Sequence, residues 1–205
     1  MKLGSPPEPG QLRAQSSDWV ILDTDIALWR VHRSAGAHVI AWDRLRYWGP
    51  APARFDPHEP PPRDQDIGVS YVAMDIPTAL AEVFQDRRVV NTTRHAPYVT
   101  GWQPTRPLHL LDLTGTWPVR AGASHAITTG RHDLCREWAR AIYLRWPATD
   151  GLYACSAMTG RPSVVLWTHA VDTFPAAPSF SRPLSHPVIR PLLRAGAREI
   201  GFRLL

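Results

Sequence analysis

Lysine is almost absent from this 205-residue chain: Lys2 is the only one among 23 basic residues, so its positive charge is carried by arginine. Cysteine is scarce too. Cys135 and Cys155 stand far from any CxxC spacing, which excludes a disulfide framework and predicts two reduced thiols packed as small hydrophobes. No run of eighteen apolar residues occurs, which excludes a membrane span, and the opening MKLGSPPEPG lacks the apolar stretch of a signal peptide, so the default compartment is the cytoplasm. The nine histidines form no HxxxH or HExxH pair, so no metal site is expected. The absence of GxSxG, GxxxxGK[ST] and GxGxxG removes the commonest hydrolase, NTPase and dinucleotide-fold readings.

What is present is a globular composition, 44% hydrophobic and 20% charged, enough to bury a core in one domain. The net charge of +5 is uneven: residues 1–100 hold 11 basic and 12 acidic groups, residues 101–205 hold 12 and 6. From Ser181 onward Arg182, Arg190, Arg194, Arg198 and Arg203 face only Glu199. That end could meet phosphates or an acidic partner, but no stripe of arginine interleaved with aromatics is visible. It reads as a solvated basic end, and no direct nucleic-acid binding is expected.

Residues 1–18, with three prolines, two glycines and no periodicity, read as a flexible N-terminal arm, and the core starts near Trp19. Strand-like composition at 19–22, 28–32 and 39–42 is followed by a proline-rich stretch, 49–62, expected to be an extended surface loop with few hydrogen bonds. Residues 69–74 predict a strand and Asp75-Ile76-Pro77 a helix start. In the helix 77–88, Leu80, Val83 and Phe84 share one side, and Glu82 lies roughly 200° from Leu80 at 100° per residue. A strand at 107–114 precedes the clearest helix, 131–146, which Thr128 or Thr129 can cap and Pro147 ends. Strands at 151–158 and 163–168 follow, then a proline-rich segment, 175–191, leading to a short strand or tail. The sum is a single compact α+β domain, 19–205, built on a mixed sheet.

Four units carry possible chemistry: LWRVH around Arg30, ARFDP around Arg54, VSYVAMDIPTALAEVF with Tyr71 and Glu82, and DGLYACSAM with Ser156. Each residue also has an ordinary reading. Glu82 can be a solvated helix carboxylate, Tyr71 a core aromatic and Ser156 a strand hydroxyl. Arg30, inside an apolar strand, needs a partner, which Asp23 or Asp25 could supply. His32, two residues on, could stand behind the same cleft, and Trp29 and Trp42 are the tryptophans nearest to it.

In order and spacing these units resemble the RES-domain family, the toxins of RES–Xre toxin–antitoxin modules, whose pattern runs strand-Arg, G-R-F, a Tyr-bearing strand with A-x-A-E, then D-G-hydrophobic-x-x-x-S. The resemblance covers about residues 26–168. Two positions depart from it: Ala53 replaces a frequent glycine, and Ala157 a frequent basic residue. It implies a fold similar to the ADP-ribosyltransferase toxins, with NAD+ as substrate rather than cofactor. It also implies an Xre-type helix-turn-helix antitoxin as partner, and no membrane. The implied reaction is cleavage of the nicotinamide–ribose bond by hydrolysis or phosphorolysis, with protein ADP-ribosylation, or a non-catalytic module on the same fold, as alternatives. Glu82, Arg30 and Ser156 are then the catalytic candidates, and Arg30, Arg54, Tyr71 and Ser156 the groups that hold the dinucleotide.

Overall fold

The computed structural model describes residues 3–205. Its centre is a nine-stranded mixed sheet, ordered β1-β7-β8-β9-β4-β2-β6-β10, with β3 pairing onto β4. The first strands are β1 (Trp19–Leu22), β2 (Leu28–Arg33), β3 (Arg46–Gly49) and the eleven-residue β4 (Arg63–Ala73). Helix α1 (Ile76–Phe84) and the two-residue β5 (Val89–Val90) lead to β6 (Pro97–Trp102) and β7 (Leu108–Asp112). The short α2 (Trp117–Arg120) and the fourteen-residue α3 (His132–Arg145) precede β8 (Gly151–Cys155) and β9 (Pro162–Trp167). The chain closes with β10 (Phe180–Pro183), α4 (Arg190–Glu199) and β11 (Arg203–Leu204), which pairs in parallel with β5. The expectation of an α+β fold built on a mixed sheet is met, with β5 and β11 forming a small second sheet. No helix among the described residues is long and apolar enough to cross a membrane.

Strand alternation assigns the core. Leu111 and Leu113 of β7 and its continuation, Leu152 and Ala154 of β8, and Val165 and Trp167 of β9 pack with Trp138 and Ile142 of α3. The intervening Leu108, Leu110, Val164 and Leu166 join Leu28, Val72 and Trp102 in a second cluster. A third gathers Leu80 of α1, Leu193 of α4, Val31, Ala73 and Val99. On β4, Val69 therefore belongs to the α3 cluster and Ala73 to the α1–α4 cluster, with Tyr71 between them on the same side. The gap between the two helical layers opens over the middle of the sheet.

The structure corrects several local expectations. Residues 39–42 are not a strand: the chain turns there, with Arg44 N–H donating to Ala41 O at 3.1 Å, and β3 begins at Arg46. Trp42 supplied the strand-like composition, but it packs on Trp102 and Phe174 instead. Helix α3 starts at His132 after an uncapped Arg131, and Thr128 Oγ1 donates to His125 O at 2.9 Å in the turn before it. Residues 3–18 are not a loose arm. Leu12 is 1% exposed, and tryptophan side chains hold the backbone: Trp138 Nε1 donates to Gly4 O at 2.8 Å and Trp117 Nε1 to Arg13 O at 2.9 Å. A proline-rich stretch without internal ladder bonds leaves its carbonyls free for such donors. Helix α4 stands where a short strand or tail is expected, because Pro191 and Gly196 interrupt its pattern. Pro191 sits in the first turn, where proline fits. A Cβ on Gly196 would come within 3.3 Å of Leu80 Cδ1, so glycine lets α4 approach α1.

Immediately before β8, outside the lining of the gap, Asp150 is 1% exposed and accepts from Arg106 Nη1 and Nη2, each at 2.9 Å, from His109 N–H at 2.8 Å and from His169 Nδ1 at 2.9 Å. Burial alone would raise its pKa; the hydrogen bonds and charge of Arg106, with the hydrogen bonds from the His109 amide and the His169 ring, outweigh this and hold it below the ordinary aspartate value. A carboxylate depressed in the folded state contributes stability that is present above its unfolded pKa and lost as pH falls through the folded one. We therefore expect Asp150→Asn to be clearly less stable than the parent at pH 7, with the gap narrowing below about pH 5. Urea denaturation at pH 7 and at acid pH measures it, and an equal gap at both would contradict the role assigned to Asp150.

Candidate functional site

The gap between α1 and α3 is a cleft of about 260 Å³. Tyr71, Ser163 and Val165 of β4 and β9 form its floor. Ala79, Glu82 and Val83 of α1 form one wall, and the loop around Arg54 faces the start of α3 at His132. The turn after β8, with Ser156 and Ala157, and β2 around Arg30 close the ends. All five residues singled out in the sequence, Arg30, Arg54, Tyr71, Glu82 and Ser156, thus line one cavity.

Glu82 is placed by its helix. Asp75 caps α1, its side chain accepting from Thr78 N–H at 2.7 Å, and the helix buries Ile76, Ala79, Leu80 and Ala81, leaving the Glu82 side half-buried toward the cleft. It is not the solvated carboxylate that the helix pattern alone allows. Ser156 Oγ donates to Glu82 Oε1 at 2.5 Å and accepts from Met158 N–H at 3.1 Å and Thr159 N–H at 3.2 Å. Two amides on the oxygen leave its proton for Glu82, so the bond has a fixed direction. Ser156, 4% exposed, is therefore occupied in holding Glu82, a different task from the direct contact with the dinucleotide expected of it. Among the described residues Glu82 Oε2 has no hydrogen-bond donor.

Tyr71 lies ring-outward in the cleft, 36% exposed, and its hydroxyl accepts Phe55 N–H at 3.0 Å, tying the 50–58 loop to the sheet. Burial around its hydroxyl, with Asp56 nearby, raises its pKa, so the phenol stays neutral. That loop is not the weakly bonded surface excursion that its prolines suggest. Asp56 and His58 are fully buried. Asp56 accepts from Arg46 Nη2 and Ala51 N–H, both at 2.7 Å, and from His58 Nδ1, while His58 Nε2 meets Ile67 O at 2.6 Å. Burial opposes the charge on Asp56, but His58, Arg46 and the Ala51 amide outweigh it and hold the carboxyl below its ordinary value. This knot carries Arg54, whose Nε donates to Gly130 O at 3.3 Å while its terminal nitrogens make no hydrogen bond among the described residues.

Arg30 departs from expectation. Its Nη1 donates to the carbonyls of Ala41, Trp42 and Arg44 at 3.2, 3.1 and 2.9 Å, so its partners are a turn's backbone oxygens and neither Asp23 nor Asp25. Desolvation, moderated by Asp43, lowers its pKa to about 10, and it remains a cation at neutral pH. Arg30 thus pins the 41–44 turn, leaving Nε and Nη2 without partners among the described residues. His32 lies outside the cleft, stacked on Tyr98 and bonded through Nε2 to Thr100 Oγ1 at 3.1 Å. Burial and then Arg30 push its pKa down to about 4. Trp29 lines the cleft; Trp42 does not.

The cleft also contains residues that the sequence did not single out. His132 lies beside Arg54 and Arg136, and burial together with those cations lowers its pKa. Half-buried Cys155 stands in the wall. Neither has a spacing signal, because each reaches the cleft only through the packing of α3 and β8.

A carboxylate with one oxygen fixed, a guanidinium with free donors and an exposed phenol ring suit a sugar carrying a positively charged leaving group and a phosphate chain. The fold has a solved counterpart: the M. tuberculosis MbcT–MbcA toxin–antitoxin complex, TM-score 0.54 and 19% identity, the match covering 82% of this chain and 88% of that one. The family model for the RES domain matches residues 27–186, and the chain belongs to that family. A search of curated proteins returned no match.

Proposed function

We propose that the chain is the toxin of a toxin–antitoxin pair and breaks the nicotinamide–ribose bond of NAD+ in the cytoplasm. The observation that carries this reading is the Glu82 carboxylate, held at Oε1 by Ser156 and free at Oε2, in a cleft shared with Arg54 and Tyr71. As the bond breaks, its electron pair leaves with nicotinamide, which becomes neutral, and positive charge spreads over the ribose C1–O bond. A fixed carboxylate beside the ribose stabilises that charge as it grows. Water, which gives up a proton to solvent, or phosphate then adds at C1, giving ADP-ribose or its 1-phosphate. Arg54 grips the pyrophosphate with its planar fork, and the Tyr71 ring stacks on a base.

The proposed partner is a small Xre-type helix-turn-helix antitoxin that covers the cleft, an acidic or carboxylate-ending segment meeting Arg54. The catalytic part is tested by incubating the purified chain with NAD+, with and without inorganic phosphate, and quantifying free nicotinamide. Release in either condition supports an enzyme; none in both argues for a non-catalytic module. Arg54→Ala and Arg54→Lys should each weaken NAD+ binding by about 1.5 to 3 kcal/mol, since an ammonium does not reproduce the fork. Equal affinity of all three proteins by calorimetry would place the phosphates elsewhere.

A further inference from the structure

Behind α1, a separate hollow of about 540 Å³ shares only Val83 with the cleft. Arg33 from the end of β2, Arg87 and Arg94 from the segments flanking β5, and Arg203 of β11 line it together. All four are exposed, and none makes a salt bridge among the described residues, although the surface pairs Arg63–Glu59, Arg131–Asp133 and Arg161–Glu199 show that exposed arginines elsewhere find carboxylates. Asp86 is the one acidic side chain in the lining. The parallel pairing of Arg203 with Val89 and Leu204 with Val90 brings the basic C-terminal end to arginines more than a hundred positions earlier.

The backbone around this hollow is unusual as well. Arg88, His95 and Ala96 have φ of 50°, 63° and 44°, the only non-glycine residues described in the left-handed region. Such conformations cost roughly 1 kcal/mol or more each and concentrate where a chain must present a particular surface. Asn91 Oδ1 is fully occupied by Thr93 N–H at 3.1 Å, Thr93 Oγ1 at 3.2 Å and Arg94 N–H at 2.8 Å, which fixes the turn carrying Arg94 and leaves the Asn91 amide nitrogen as a further donor. The fold thus holds four like charges and further donors around one concavity with a single carboxylate, Asp86, among them, an arrangement that self-repulsion disfavours unless an anion fills it.

We infer that this hollow is a binding site for a compact multiply charged anion, a chain of phosphates, carried free or on a nucleotide. Four arginines lining one hollow call for dense negative charge with oxygens in planar pairs, which phosphates provide. Carboxylates on one side of an extended acidic peptide stand about 7 Å apart, a sparser charge than consecutive phosphates carry. Single-stranded nucleic acid needs aromatic platforms for its bases; of the two aromatic rings in the lining, Phe84 packs against the α1–α4 core and the His95 imidazole is engaged by Arg94 Nε at 3.3 Å.

The test is calorimetry of the full chain with inorganic tripolyphosphate, a nucleoside triphosphate, hexaglutamate and a short oligonucleotide. Tripolyphosphate is expected to bind, and Arg94→Gln with Arg203→Gln, or Arg33→Gln alone, to weaken it by at least about tenfold with the melting temperature retained. Arg54→Gln, in the cleft, is expected to leave this binding unchanged. A nucleotide matching tripolyphosphate identifies a phosphate-only site, and a tighter nucleotide one that also reads the nucleoside. The inference is overturned if tripolyphosphate does not bind, if its binding is lost in Arg54→Gln but kept in the groove variants, or if hexaglutamate or the oligonucleotide binds as tightly. Because no readout uses NAD+ cleavage, its failure is separate from failure of the proposed activity.

Discussion

Glu82→Gln is expected to lower nicotinamide release by on the order of 10² to 10³ while leaving NAD+ affinity nearly unchanged. Gln keeps the length and shape of Glu, and its amide oxygen can still accept the Ser156 hydroxyl that now meets Oε1 at 2.5 Å. Only the negative charge disappears, and that charge matters chiefly as the glycosidic bond breaks. Stability should change by about 1 kcal/mol or less, because the half-buried side chain retains its hydrogen bond. Growth arrest on expression in a bacterial host should vanish with turnover. If the Gln variant released nicotinamide at the parental rate, Glu82 would have no catalytic role. A large fall in Tm would instead make its carboxylate a structural clasp between α1 and the turn after β8.

The sequence was legible where periodicity and local chemistry act over a few residues. Asp75-Ile76-Pro77 announced the start of α1, and the apolar repeat through Leu134, Trp138 and Ile142 announced α3. The five candidate residues were found through a family pattern, and the fold gathers them in one cleft. Their individual contacts were not readable. Nothing local says that Ser156 turns its hydroxyl toward a carboxylate seventy-four positions earlier, or that Arg30 bonds to a turn of backbone carbonyls. Long-range packing also hid the order of residues 3–18, whose anchors are indole groups of α2 and α3. In the proline-dense loop, composition argued for a surface excursion, yet the short sequence Arg54-Phe55-Asp56 contains the buried charge that fixes it.

That charge is the basis of the largest stability effect expected. Asp56→Ala would leave Arg46 Nη2, the Ala51 N–H and His58 Nδ1 facing an empty site, in a region where Asp56 and His58 have no exposure. Removing one partner of a buried ion pair strands the other, at a cost of about 3 to 5 kcal/mol. For a chain of this size the melting temperature should fall by on the order of 10 °C. Asp56→Asn should lie between parent and Ala. Its amide oxygen can keep Arg46 and Ala51, and its amide nitrogen can donate to His58 Nδ1 if the ring carries its proton on Nε2 toward Ile67 O. The loop held by this knot carries Arg54 and supplies the Phe55 amide that fixes the Tyr71 hydroxyl, so the Ala variant should also lose NAD+ affinity at a temperature where it is still folded. Calorimetric melting and NAD+ titration at 15 °C read the two effects separately. A parental melting temperature would show that the buried carboxylate is not an anchor. Lower stability with parental affinity would mean that Arg54 and Tyr71 keep their places without it, and the link from this knot to the cleft would be wrong.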